Sequence, residues 1–79
     1  MITVRYFAGM KEVTGKEEEH LPIRSMTVKE LIEWAEKTYD RFPFRSGVLH
    51  VAVNEEYARL EDNIVSGDVV AFIPPVSGG

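Results

Sequence analysis

Thr27 to Tyr39 carries a long helical pattern, and it limits the fold more than any other stretch of the chain. The Thr27 hydroxyl is placed to cap free backbone N–H groups, and Glu30, three residues later, is placed to reach back in a capping box. Val28, Leu31, Ile32, Ala35 and Tyr39 then follow the i, i+3, i+4, i+7 spacing of one buried face, while Glu33, Glu36 and Lys37 take the wet side. Trp34 falls on the flank of the stripe, where a half-buried packing role is expected. In a chain of 79 residues there is no second long helix to cover that stripe, so a sheet must.

The strand patterns are present. Ile2, Val4 and Tyr6 alternate with Thr3, Arg5 and Phe7, which predicts a first strand over 2–7. Residues 8–15 predict a short helical connector closed by Gly15. Residues 16–23 are charge-rich and contain Pro22, which suits an edge strand with Glu17 to Glu19 on a solvated face. After an irregular stretch bounded by Asp40, Pro43 and Gly47, with Phe42 and Phe44 expected under the loop, a strand is predicted over 48–53. Asn54 to Glu56 predict a turn, 57–60 a short strand or extended segment, and 61–68 a loop with a Ser-Gly-Asp turn. Val69 to Ile73 are continuously apolar, the pattern of a central strand covered on both faces, expected beside the first strand. The order β, short helix, β, helix, β, β, β is an α+β roll: one main helix packed on one face of a mixed sheet of about five strands.

Composition excludes several kinds of chemistry. A chain of this size buries roughly 60–65% of its unfolded surface, enough for one core and not for a large enclosed cleft. There is no cysteine, hence no disulfide, thiolate metal site or catalytic thiol. The histidines, His20 and His50, are thirty positions apart and without a carboxylate at ligand spacing, so ordinary surface or strand roles and no metal site are expected. Thirteen acidic against nine scattered basic residues give a net charge of −4, which argues against nucleic acid and for a partner with a basic surface. Apolar runs are far short of the ~20 residues that cross a bilayer, and the first residues lack a signal-peptide pattern, so no membrane association and a cytoplasmic location are expected. Gly9 to Gly15-Lys16-Glu17 has the wrong spacing, and Glu where a P-loop needs Ser or Thr.

The sequence closes on Pro74-Pro75-Val76-Ser77-Gly78-Gly79. The prolines end strand pairing and stiffen the exit, which divides the chain into a 1–74 domain and a 75–79 tail reaching up to roughly 17 Å. Gly78 and Gly79 lack a Cβ, so a narrow channel can clasp the backbone closely. A terminal carboxylate, with a pKa of about 3.3–3.7, is an anion and a poor electrophile until activated, for instance as an acyl-adenylate. Read from the Gly-Gly alone, a slack terminus without chemistry is an equal alternative.

Val4-Arg5-Tyr6-Phe7-Ala8, Lys11-Glu12, Gly15, Thr27 to Leu31, Val51-Ala52-Val53-Asn54 and above all Gly67 to Gly79, with Phe-x-Pro-Pro-Val-Ser-Gly-Gly, resemble the molybdopterin synthase small-subunit family. These are the sulfur carriers of the ubiquitin-like β-grasp superfamily. The resemblance implies that Gly79 is adenylated by a ubiquitin-activating-type enzyme that uses ATP, and is then converted to a thiocarboxylate. It implies that Pro75, Val76, Ser77 and Gly78 insert into the synthase large subunit, where sulfur passes to cyclic pyranopterin monophosphate to build the molybdopterin dithiolene. The carrier binds no cofactor and does not catalyse alone. Phe7, Tyr57 and Ile73 are the family-like positions for apolar docking, with core packing an equal alternative for Phe7 and Ile73. A carrier for thiamine or cysteine synthesis, or a ubiquitin-like modifier, would share the activation chemistry and differ in acceptor.

Overall fold

Ile2, Val4 and Tyr6 are buried while Arg5 and Phe7 are exposed, as strict alternation requires. In the computed structural model, which describes residues 1–7, 9–39 and 50–73, this strand is β1 (Ile2–Tyr6). It stops one residue before the expected end because the Phe7 carbonyl accepts from the Met10 N–H at 2.9 Å and turns the chain into α1 (Gly9–Thr14). Gly15 closes that helix with φ +74°, a left-handed backbone conformation that costs a residue without Cβ little. Strand β2 (Glu18–Leu21) returns antiparallel to β1, with Ile2 opposite Leu21 and Val4 opposite Glu19.

Two short strands escaped the sequence reading. Ser25–Thr27 forms β3 and Asn63–Val65 forms β6, and they pair antiparallel as a separate two-stranded sheet. Three residues are too few to display a period, and β6 lies inside the stretch expected as loop. Between them, α2 (Val28–Thr38) begins with the expected capping box: the Glu30 N–H donates to Thr27 Oγ1 at 3.1 Å, and the Thr27 N–H donates to Glu30 Oε1 at 2.8 Å. The Val28 and Lys29 N–H groups donate to the carbonyls of Asp62 and Leu60, so residues 60–62 run across the helix start and satisfy donors that helix geometry leaves free.

Strands β4 (His50–Val53), β5 (Glu56–Tyr57) and β7 (Val69–Ile73) complete a five-stranded sheet of order β2-β1-β7-β4-β5. β7 runs parallel to β1 and antiparallel to β4, so the last strand does lie beside the first. Asn54 and Glu55 are the two-residue loop between β4 and β5, both at positive φ (52° and 71°). Asn54 thus takes the turn role expected of it. Residues 58–60 are not strand; the Arg59 N–H donates to Asp62 Oδ2 in a turn. The expected Phe42 and Phe44 plugs, the start of the 48–53 strand, and the 74–79 segment with the domain boundary lie outside the described residues.

Register places Ile2, Val4, Tyr6, Leu21, Val51, Val70 and Phe72 on one sheet face, packed against Val28, Leu31 and Ala35 of α2. Tyr6 stacks on Phe72 with ring centroids 6.1 Å apart. Trp34 is half-buried beside this core, as its place on the flank of the stripe predicts, whereas Ile32 and Tyr39, expected on the buried face, are also only half-buried. The expectation that β7 is covered on both faces is corrected: Val70 and Phe72 are buried, but Val69 is exposed and Ala71 and Ile73 are only half-buried. The helix covers one side of the sheet, and the apolar residues of β7 on the other side remain accessible.

Glu19 also departs from expectation. The charge pattern predicts a solvated face for Glu17 to Glu19, but the Glu19 side chain is 18% exposed and accepts from Tyr6 Oη at 2.9 Å and Tyr39 Oη at 2.7 Å through one oxygen. Period-2 alternation points Glu19 toward the helix side, between exposed Glu18 and His20. Lys16 Nζ lies 3.2 Å from its other oxygen. Burial alone would push the Glu19 carboxyl up, but the phenolic donors and Lys16 outweigh it and hold it below the usual glutamate range.

Candidate functional site

The accessible sheet face is built in rows. In the central row Arg5 stands opposite Ala71, Ala71 opposite Ala52, and Ala52 opposite Tyr57. Two methyl side chains in the middle of four strands leave a depression, with the aromatic side chains of β5 and of the β1 exit standing above it. The result is a groove of about 410 Å³, floored by Ala52 and Ala71 and bounded by Phe7, Tyr57, Val69 and Ile73, with Arg5 and Glu55 at its rim. Tyr57, on β5, is 72% exposed and Phe7, just past β1, 44%, large values for aromatic residues.

Polar contacts fix the walls. The Arg5 guanidinium lies 5.6 Å from the Phe7 ring centroid, and the His50 and Tyr57 rings are 5.3 Å apart. The Asn54 carboxamide donates to Asp68 Oδ1 and accepts from the Val69 N–H, both at 3.0 Å, which ties the β4–β5 hairpin to the start of β7. The Val65 N–H and that carboxamide hold the Asp68 carboxyl below its ordinary range. Gly67, at φ +99°, makes the tight turn that delivers Asp68.

Phe7, Tyr57 and Ile73, expected as docking positions, therefore line one groove on the face away from α2. Their exposure decides against core packing for Phe7, and Ile73 belongs to the same open side. Gly79 and the insertion residues Gly78, Ser77, Val76 and Pro75 lie outside the described residues. Sequence reasoning missed the alanine floor and the rim residues Arg5 and Glu55. The phase of β1 and β7 contained that signal once Phe7 was set facing outward. His20 pairs with Glu18 at 3.0 Å, and among the described residues no group of three or more His, Cys, Asp or Glu is placed to hold a metal ion. No helix among them is long and apolar enough to cross a membrane.

A mixed five-stranded sheet with a single main helix packed across one face is the ubiquitin-like β-grasp fold. The chain belongs to the ThiS family, which matches residues 4–79. It is 33% identical over 81 residues to the molybdopterin synthase sulfur carrier subunit of Escherichia coli, covering 100% of both chains. It is 36% identical over 84 residues to the human protein of that description, covering 99% of this chain and 93% of the other. Among solved structures it is similar to SAMP1 from Haloferax volcanii (TM-score 0.81, 25% identity, 99% and 98% coverage). It is also similar to a chain in the complex of subunits 1 and 2 of the molybdopterin-converting factor from Helicobacter pylori (TM-score 0.70, 26% identity, 99% and 97% coverage).

Proposed function

We propose that this chain is the sulfur carrier subunit of a molybdopterin synthase, with the Gly79 carboxyl as its reactive group. The observation that carries this reading is a continuity: Val69, Ala71 and Ile73 of β7 form part of the open groove, and the same strand leads in sequence directly into Pro-Pro-Val-Ser-Gly-Gly. A partner seated on the groove covers the end of the strand that leads in sequence into the tail. Full-length likeness to the sulfur carrier subunits supports the assignment.

The chemistry starts from the terminal carboxylate. Its oxygen attacks the α-phosphorus of ATP on an activating enzyme, pyrophosphate leaves, and the acyl-adenylate acquires a good leaving group. Hydrosulfide then adds to the acyl carbon and AMP departs, which leaves a thiocarboxylate. The chain has no cysteine to intercept the adenylate or to exchange with the product. Inserted into the large subunit, the thiocarboxylate donates sulfur to cyclic pyranopterin monophosphate, in the cytoplasm where ATP and the activating enzyme are available. Catalysis belongs to the large subunit; this chain supplies the sulfur, the slim tail and the docking face formed by Phe7, Tyr57 and Ile73.

Deleting Gly79 tests the assignment. The truncated chain is expected to form the synthase complex and to support no molybdopterin formation; unchanged synthase activity would exclude a reactive terminus. The likeness to SAMP1, a small archaeal modifier protein, favours a second reading in which Gly79 is joined to lysine amines. Gly79-dependent protein conjugates in cells, with no defect in molybdopterin when the gene is removed, would favour it.

A further inference from the structure

Glu55 occupies a backbone conformation that does not favour it. With φ at 52° for Asn54 and 71° for Glu55, the β4–β5 loop is a two-residue hairpin turn with both residues left-handed. Asparagine suits the first of these positions, and here it also makes the two side-chain bonds to Asp68 and Val69. Glycine suits the second, because a Cβ in left-handed geometry crowds the following carbonyl. Glu55 makes no hydrogen bond or ion pair with its side chain among the described residues, so nothing described within the chain offsets the backbone cost. Its side chain instead lies exposed at the rim of the groove, beside Tyr57 and across the alanine floor from Arg5.

Resting on the docking reading above, we infer that Glu55 is a specificity-determining residue of the groove, whose carboxylate pairs with a Lys or Arg side chain on the docking partner. Three features point to a cation. The carboxylate borders an apolar surface that excludes water once covered, and an anion there needs a counter-charge. Arg5, the cation at the same groove, lies over Phe7 and makes no ion pair among the described residues. The chain as a whole carries −4, so its partner's facing surface is expected to be basic. Strain retained at a binding surface without an internal reason is the expected mark of a residue kept for an external contact.

The test uses the full chain and the molybdopterin synthase large subunit encoded by the same organism, with affinity measured at low and high salt and thermal unfolding in parallel. Glu55→Gln keeps the backbone geometry and removes the charge. It is expected to weaken binding roughly three- to fivefold at low salt, to reduce the salt dependence relative to the wild-type chain, and to leave the melting temperature unchanged. Glu55→Gly is expected to melt higher than the wild-type chain while binding no more tightly than Glu55→Gln. Wild-type affinity in Glu55→Gln at both salt concentrations would overturn the inference while leaving the docking face intact. A Glu55→Gly chain that melts no higher would overturn the claim of a backbone cost. A wild-type chain that does not bind the large subunit at all would overturn the docking reading, and this inference with it.

Discussion

Tyr6 and Tyr39, thirty-three residues apart in sequence, donate to the same carboxylate oxygen of Glu19, at 2.9 and 2.7 Å. The bonds join an inner strand of the sheet, its edge strand and the end of the main helix. Because the Glu19 carboxyl is held below the usual 4.5, its contribution to stability is present above that pH and is lost as pH falls through the lowered value. Burial, reinforced by Glu19, raises the Tyr6 phenol well above its usual 10.0, so its contribution is present below pH 10 and fades above it. Glu19→Gln is expected to flatten the acid limb of a melting-temperature profile and to cost about 1–2 kcal/mol at neutral pH. Tyr6→Phe is expected to cost about 1 kcal/mol, and an unchanged acid limb in Glu19→Gln would show that other carboxylates set it.

The capping box at Thr27 and Glu30 determines where the helix begins. Thr27→Ala is expected to cost about 1 kcal/mol, a fall in melting temperature of roughly 4–8 °C for a domain this small. Thr27→Ser, which retains the accepting hydroxyl, is expected to lose much less. Thermal unfolding followed by circular dichroism measures both.

Asn54 combines a left-handed turn position with two side-chain bonds across to β7. Asn54→Gly keeps the backbone freedom and removes only the bonds, whereas Asn54→Ala also imposes a Cβ that the turn disfavours. The expected order of stability is wild type, then Gly, then Ala, with about 1 kcal/mol per step, read from urea unfolding midpoints.

The two sheet faces are expected to respond oppositely to substitution. Phe72→Ala empties a fully buried site and is expected to cost about 3–5 kcal/mol. Tyr57→Ala, at an exposed site, is expected to change stability by less than about 0.5 kcal/mol and to weaken large-subunit binding at least tenfold. Ala71→Leu fills the groove floor from above and is expected to block binding while the fold persists. Titration calorimetry against the large subunit, beside melting curves, separates the two effects.

Long periodic segments made much of this architecture legible in advance. The helix stripe from Val28 to Tyr39, its cap, and the alternation of Ile2, Val4 and Tyr6 each repeat a local rule often enough to be read. β3 and β6 were not readable, because their pairing is a long-range relationship between three-residue segments. Glu19 was misplaced because composition suggested a charged edge while strand phase turned that one residue inward. The continuous apolar run of β7 is the pattern of a strand covered on both faces, but an apolar strand face is equally what a docking surface requires. The family positions Phe7, Tyr57 and Ile73 did converge, while the alanine floor between them became visible only through the register of four strands.

The reactive terminus is tested most directly by intact-mass analysis of the purified chain after incubation with ATP, the cognate activating enzyme and a sulfur donor. The expected product is the full-length chain with one oxygen of the Gly79 carboxylate exchanged for sulfur, absent when Gly79 is deleted. An unchanged mass under conditions that load an established sulfur carrier would contradict the assignment of Gly79 as the sulfur-bearing residue.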